Sequence, residues 1–214
     1  MKYDLYVITD EAIAGGLTHE EIARRAITGG ADVIQLRDKE CGCLELCRIG
    51  RALRTITMKT GTLFIVNDRL DVALACGADG VHLGQDDIRA GVARQIAPPG
   101  FIIGVSVGTV DEAVRAEEEG ADYLAISPVF STASKNDAGP GRGLAVVQEI
   151  RWNVSVPIIA IGGINLDNVR EVIAAGADGV AVISAVVGSR DLIAAARELR
   201  KRISESKEHG EHDR

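Results

Sequence analysis

Aromatic residues are scarce in this chain: one tryptophan, three tyrosines and three phenylalanines, 3% of 214 residues. Ile, Val, Leu and Ala are therefore expected to fill the core. No uncharged apolar run approaches the roughly 18 residues of a membrane span, so no membrane association is expected. The opening residues, Met1 to Asp10, lack a signal-peptide apolar region and read directly as a strand, which predicts a cytoplasmic protein. Positive charge is not in excess. Lys and Arg number 24 against 31 Asp and Glu, a net charge of −7. Such a balance disfavours nonspecific nucleic-acid binding but leaves room for a local basic pocket. The four cysteines, Cys41, Cys43, Cys47 and Cys76, include no Cys-x2-Cys pair and no nearby histidine, so a zinc site is not expected. On a helix Cys43 and Cys47 would share a face while Cys41 points away, and reduced thiols are the expected state. No Ser-His-Asp or Cys-His constellation is evident.

What the chain does have is a repeat. Gly-Ala-Asp occurs at 30–32, 77–79, 120–122 and 176–178, each time after a helix-like segment and before a short β-rich run. Glycine there can take the left-handed conformation that ends a helix. The runs are Val33–Arg37, Gly80–Gly84, Tyr123–Ser127 and Gly179–Ser184. Four others, Leu5–Thr9, Leu63–Asn67, Ile102–Ser106 and Pro157–Ile161, lie between them. All eight are nearly continuously apolar, as suits parallel strands buried on both faces. Strands alternating with helices predict βαβ units, and eight regular units favour one (β/α)8 barrel over an open doubly wound sheet. The length sits near the lower limit of about 200 residues for that fold, so short helices are expected. The barrel should span 1–203. Residues 204–214 carry no apolar side chain and are expected to form a disordered polar tail.

A barrel places its site at the C-terminal strand ends, and polar residues gather there. Gln35 and Arg37 share one side of their strand, and Lys39 adds a second cation. An arginine and a lysine together suit a diphosphate, although an ion pair with Asp38 is the alternative. Asp68 and Asp87 end consecutive strands, so their carboxylates can converge on Mg2+; helix N-capping is the competing reading. Gly162-Gly163 follows the seventh strand and Ile183-Ser184 ends the eighth, where barrels commonly bind phosphate. The stretch from Phe130 to Gly143 has the composition of a mobile lid.

These segments together resemble the thiamine phosphate synthase family. The resemblance is carried by Tyr6–Asp10, Gln35–Lys39, Val66–Arg69, Gly80–Asp87, Gly104–Ser106, Ser127–Lys135, Ala160–Ile164 and Val182–Ser184. It covers all but the tail. It implies an enzyme that joins hydroxymethylpyrimidine diphosphate to a thiazole phosphate, or its carboxylated form, with release of pyrophosphate. By this likeness Gln35, Arg37, Lys39, Asn67, Ser106 and Lys135 would hold the pyrimidine diphosphate, with Arg37, Lys39, Ser106 and Lys135 acting in catalysis. Asp68 and Asp87 would hold Mg2+, and Thr132, Ser134, Gly163, Ile183 and Ser184 the thiazole phosphate. Ser134 stands where the family usually has threonine, and Ser127 where glycine is commoner, which could narrow the site. A thiazole tautomerase on the same barrel is the alternative activity. The expected partners are phosphorylated small molecules, and a homo-oligomer is compatible with the sequence.

Overall fold

The structure, a computed structural model, describes residues 2–132 and 140–212. Its eight strands are β1 (Leu5–Ile8), β2 (Val33–Leu36), β3 (Leu63–Asn67), β4 (Gly80–Leu83), β5 (Ile102–Val107), β6 (Tyr123–Ile126), β7 (Ile158–Ile161) and β8 (Gly179–Val182). Each lies within two residues of its predicted run. They pair in parallel in chain order, and β1 pairs with β8 to close the barrel. Helices follow the strands: α1 (His19–Thr28), α2 (Cys43–Met58), α3 (Leu70–Cys76), α4 (Ala90–Ile96), α5 (Val110–Glu118), α6 (Leu144–Asn153) and α7 (Val169–Ala174). After β8 come the single-turn α8 (Ser184–Val187) and the long α9 (Leu192–His212).

The repeated tripeptide acts at the N-terminal end of the barrel. Its glycines, Gly30, Gly77, Gly120 and Gly176, all have positive φ, between 69° and 107°. That left-handed step turns the chain out of the helix and into an even-numbered strand. Each aspartate then returns to the neighbouring odd strand. Asp32, Asp79, Asp122 and Asp178 accept the backbone N–H of Leu5, Phe64, Ile103 and Ile158 at 2.7–3.0 Å. Each also meets one arginine, in the same order Arg200, Arg54, Arg94 and Arg151.

The barrel interior departs from the composition-based expectation. Aliphatics do line it, yet Tyr6 and Tyr123, two of the largest fully buried side chains of the chain, meet there. A Cβ on Gly104 would lie 2.0 Å from the Tyr123 ring, so this glycine provides the room for the tyrosine.

The tail also differs from expectation. Instead of becoming disordered at residue 204, the chain continues α9 through His212. The missing apolar residues are offset by polar anchoring. Ser204 bonds with Arg200 and Ser206 donates to the carbonyl of Arg202. Lys207 reaches the buried Asp4 carboxylate and the carbonyl of Asp178. Lys and Glu are also good helix formers. Burial raises the Asp4 carboxyl, but Lys207 and Arg200 outweigh it and hold the group below its ordinary range.

Candidate active site

Two arcs of polar groups face each other at the C-terminal mouth. The first centres on Asp68, the one non-glycine residue with positive φ (60°) among those described. Its N–H still pairs with the carbonyl of His82 at 2.8 Å, and Arg69 N–H closes a tight turn onto the carbonyl of Asn67 at 2.7 Å. A left-handed aspartate costs backbone energy, and such strain concentrates where a side chain must be aimed. Here the carboxyl is aimed at Asp87, whose Oδ2 is itself fixed by the N–H of Gly84 at 2.7 Å. The two carboxyls share a hydrogen bond. Burial, and then the Asp87 charge and that bond, push Asp68 from 3.8 up to about 6, against the pull of Lys39 and Arg37. Thus Arg37, Lys39, Asp68 and Asp87 lie in one electrostatic neighbourhood.

Neither aspartate serves as a helix cap. The N-cap residues of α3 and α4 are Arg69 and Arg89, and neither helix has a side-chain cap bond. Arg37 does not pair with Asp38 either; its guanidinium faces Asp10 at 3.6 Å. Among the described residues no cluster of three His, Cys, Asp or Glu suited to a metal forms, and all four cysteines are free thiols.

Gln35 and Ser106 are joined through the barrel interior. Gln35 Nε2 donates to Tyr6 Oη at 2.7 Å, Tyr6 Oη lies 3.0 Å from Tyr123 Oη, and Tyr123 Oη lies 3.0 Å from His82 Nδ1. His82 Nε2 then meets Ser106 Oγ at 2.8 Å. Burial pushes both tyrosine hydroxyls upward, so they remain protonated. Sequence reasoning placed Gln35, His82 and Ser106 at strand ends but missed the two tyrosines that connect them. Their signal was polar atoms on inward positions of β1 and β6, which a one-dimensional pattern does not connect.

The opposite arc is a pocket lined by Ser127, Thr132, Gly162, Gly163, Ile183 and Ser184, among others. It brings together Thr132, Gly163, Ile183 and Ser184, residues predicted for a phosphate. Asn168 Nδ2 donates to the Gly163 carbonyl at 2.9 Å and so fixes the glycine loop. An adjoining open recess adds Asn165, which closes the predicted glycine segment after β7, and Ile13, from the β1–α1 loop, which the sequence had not singled out. Ser127 also lines this cavity. Ser134 and Lys135 fall outside the described residues, as do all of residues 133–139 of the predicted lid. Arg142, at the end of that stretch, donates to the carbonyls of Gly108 at 3.0 Å and Ser127 at 3.3 Å.

Fold and site together define a (β/α)8-barrel protein with an acidic pair among cations on one arc and a glycine-lined, hydroxyl-bearing pocket on the other. The thiamine monophosphate synthase family matches over residues 5–186. Thiamine-phosphate synthase from Methanoregula boonei is 66% identical over 208 residues, covering 97% of this chain and 96% of that protein. The one from Methanoculleus marisnigri is 63% identical, covering 98% and 100%. The solved thiamine phosphate pyrophosphorylase from Pyrococcus furiosus superposes with a TM-score of 0.88 at 47% identity, covering 95% of this chain and 96% of that one. A 3-hexulose-6-phosphate synthase shares the fold at 20% identity and a TM-score of 0.69. This chain belongs to the thiamine monophosphate synthase family.

Proposed function

We propose that this protein is a thiamine phosphate synthase that condenses hydroxymethylpyrimidine diphosphate with a thiazole phosphate, or its carboxylated form. The observation that carries the reading is the Asp68–Asp87 pair set among Arg37 and Lys39, across the mouth from the Gly163–Ser184 pocket. Each substrate's phosphate then has its own arc, and the reacting atoms meet between them.

The acidic pair fits a divalent cation. Its donors are hard oxygens, and one carboxyl is raised to about 6 by burial and by the other carboxylate, strain that a cation would relieve. Asp68 and Asp87 would hold Mg2+, which when bound supplies charge neutralisation for the diphosphate. The chain's own contribution is separate. Arg37 and Lys39, with Lys135 from the undescribed loop, stabilise the negative charge that grows on departing pyrophosphate. Asn67 adds a contact beside Asp68. The aminopyrimidine can bear a methylene cation, so cleavage can precede attack by the thiazole nitrogen and no protein nucleophile is needed.

Gln35 and Ser106 orient the pyrimidine. With the Gln35 amide donating at one end, the hydrogen bonds can run in one direction to Ser106. In that arrangement His82 is neutral and protonated at Nε2, a tautomer assigned from the network. The Ser106 O–H is then free to donate and the Gln35 carbonyl to accept. A donor and an acceptor match the ring nitrogen and exocyclic amine of an aminopyrimidine. Thr132, Gly163, Ile183 and Ser184, with Ser134 from the undescribed loop, would hold the thiazole phosphate.

A thiazole tautomerase would have no use for the cation and acidic cluster, so its retention favours the synthase. No helix among the described residues is long and apolar enough to cross a membrane, and we place the protein in the cytoplasm. The test is thiamine phosphate formation from the two purified substrates, with and without EDTA. No product, or undiminished turnover in excess EDTA, would overturn the synthase or the metal assignment respectively.

A further inference from the structure

His19 is buried to 1% exposure, titratable, and unused by the mechanism above. It begins α1, yet its imidazole points back beneath the barrel mouth. Nδ1 lies 2.7 Å from Thr9 Oγ1, at the end of β1. Nε2 faces two carboxylates, Asp38 Oδ2 at 3.5 Å and Glu11 Oε1 at 3.8 Å. Asp38 in turn uses its other oxygen to accept the N–H groups of Glu40 and Cys41, both at 2.9 Å. Asp38 is thereby fixed on one side by the turn that follows Lys39 and faces the imidazole on the other.

We infer that His19 is a positioning residue for the diphosphate arc, holding the Asp38 turn so that Lys39 is presented to the leaving group. The inference rests on the synthase reading. A buried polar ring costs stability unless its contacts return something, and here they lie against the segment that carries a phosphate-binding cation. Placing a charged group to within a fraction of an ångström is what separates a good phosphate contact from a weak one. The thiazole side is anchored independently. Gly163 on that side is held by Asn168 Nδ2, which donates to its carbonyl at 2.9 Å, without His19. The effect should therefore fall on one substrate.

The experiment compares His19→Asn, whose amide occupies the Nδ1 position next to Thr9 but falls short of Asp38, with His19→Gln, whose amide reaches the Nε2 position. KM for each substrate and the affinity for inorganic pyrophosphate with Mg2+, by calorimetry, are measured for both. We expect His19→Asn to raise KM for the pyrimidine diphosphate about tenfold and to weaken pyrophosphate by the same factor, about 1.4 kcal/mol. His19→Gln should stay within about threefold of the parent, and KM for the thiazole phosphate should hold in both. Equal behaviour of Asn and Gln, a parallel rise in both KM values, or a loss of Tm alone would overturn the positioning role. If His19→Asn does not fold, Asp38→Asn, which keeps the turn's acceptor but removes the anion facing His19, must show the same one-sided pattern. If the parent enzyme makes no thiamine phosphate the synthase reading falls, while the pyrophosphate titration still decides whether His19 positions the cationic arc.

Discussion

Replacing Asp68 with asparagine isolates the electrostatic strain in the acidic pair. An acid whose folded value lies above its unfolded one gives stability that is complete below the unfolded value and is lost as pH rises through the folded value. For Asp68 that window runs from near 3.8 to about 6. At full strength such a displacement is worth ~3 kcal/mol, and solvent screening at this half-buried carboxyl reduces it to ~1–2 kcal/mol. Asparagine removes the charge but tolerates the left-handed backbone at φ 60°. Alanine would add strain of ~1 kcal/mol and obscure the result. In EDTA near pH 8, Asp68→Asn should therefore be more stable than the parent, by ~3–6 °C in Tm for a domain of this size. Near pH 4 the two should coincide, because the parent carboxyl is then largely protonated. Mg2+ should raise the parent's Tm near pH 8 and leave the variant almost unmoved. Thermal melts at the two pH values, with and without Mg2+, decide the matter. A variant less stable than the parent in EDTA near pH 8, or an equal response to Mg2+, would refute the account of a strained pair built for a cation.

Three further outcomes follow from the geometry. Tyr123→Phe removes the hydroxyl that joins Tyr6 to His82, and should cost ~1–3 kcal/mol of stability along with turnover, measured by denaturant melts and steady-state rates. Gly163→Ala would set a Cβ 2.7 Å from the Ser131 carbonyl oxygen and 2.8 Å from Phe130 Cβ. It should raise KM for the thiazole phosphate about tenfold by displacing the Thr132 segment, with KM for the pyrimidine diphosphate unchanged. Truncation after Ile203 strips Lys207 from the buried Asp4 and should lower Tm by ~4–8 °C, a loss of ~2 kcal/mol; an unchanged melt would mean that the extension of α9 contributes nothing.

Much of this was legible in the chain itself because the signals were local. Continuous apolar runs, four of them directly after Gly-Ala-Asp, located all eight strands, and polar residues at the ends of those runs located the mouth. What stayed hidden depends on three-dimensional register. The link from Gln35 to Ser106 crosses the barrel through Tyr6, Tyr123 and His82, residues far apart in sequence whose inward orientation is set by strand pairing. The same holds for His19, which sits at the start of α1 and which the sequence pattern did not single out. Gly163 was expected to lie against the thiazole phosphate. Its Cβ vector instead meets Phe130 and Ser131, so its absent side chain makes room for the neighbouring loop. The tail was misjudged for a related reason: counting apolar residues ignores a lysine that finds a buried carboxylate 203 positions away.

Aspartate and arginine occupy both ends of this barrel, and their partners decide which do chemistry. At the N-terminal end each repeated aspartate has a backbone N–H and a guanidinium, so its charge is satisfied within the protein. The arginines come from the helices that precede the odd strands: Arg54 from α2, Arg94 from α4 and Arg151 from α6. The fourth, Arg200, comes from α9 and reaches Asp32 beside β1. Thus α9 stands in the ring where the helix before β1 would be, and the clasp that closes the barrel is the same as the three that build it. At the mouth the arrangement is inverted. Asp68 has another carboxyl as its hydrogen-bond partner, and among the described residues Arg37 has only a distant one in Asp10, at 3.6 Å. Charges left uncompensated by the fold are those available to a ligand, and that difference, rather than residue type, separates the stabilising end of this barrel from the reactive one.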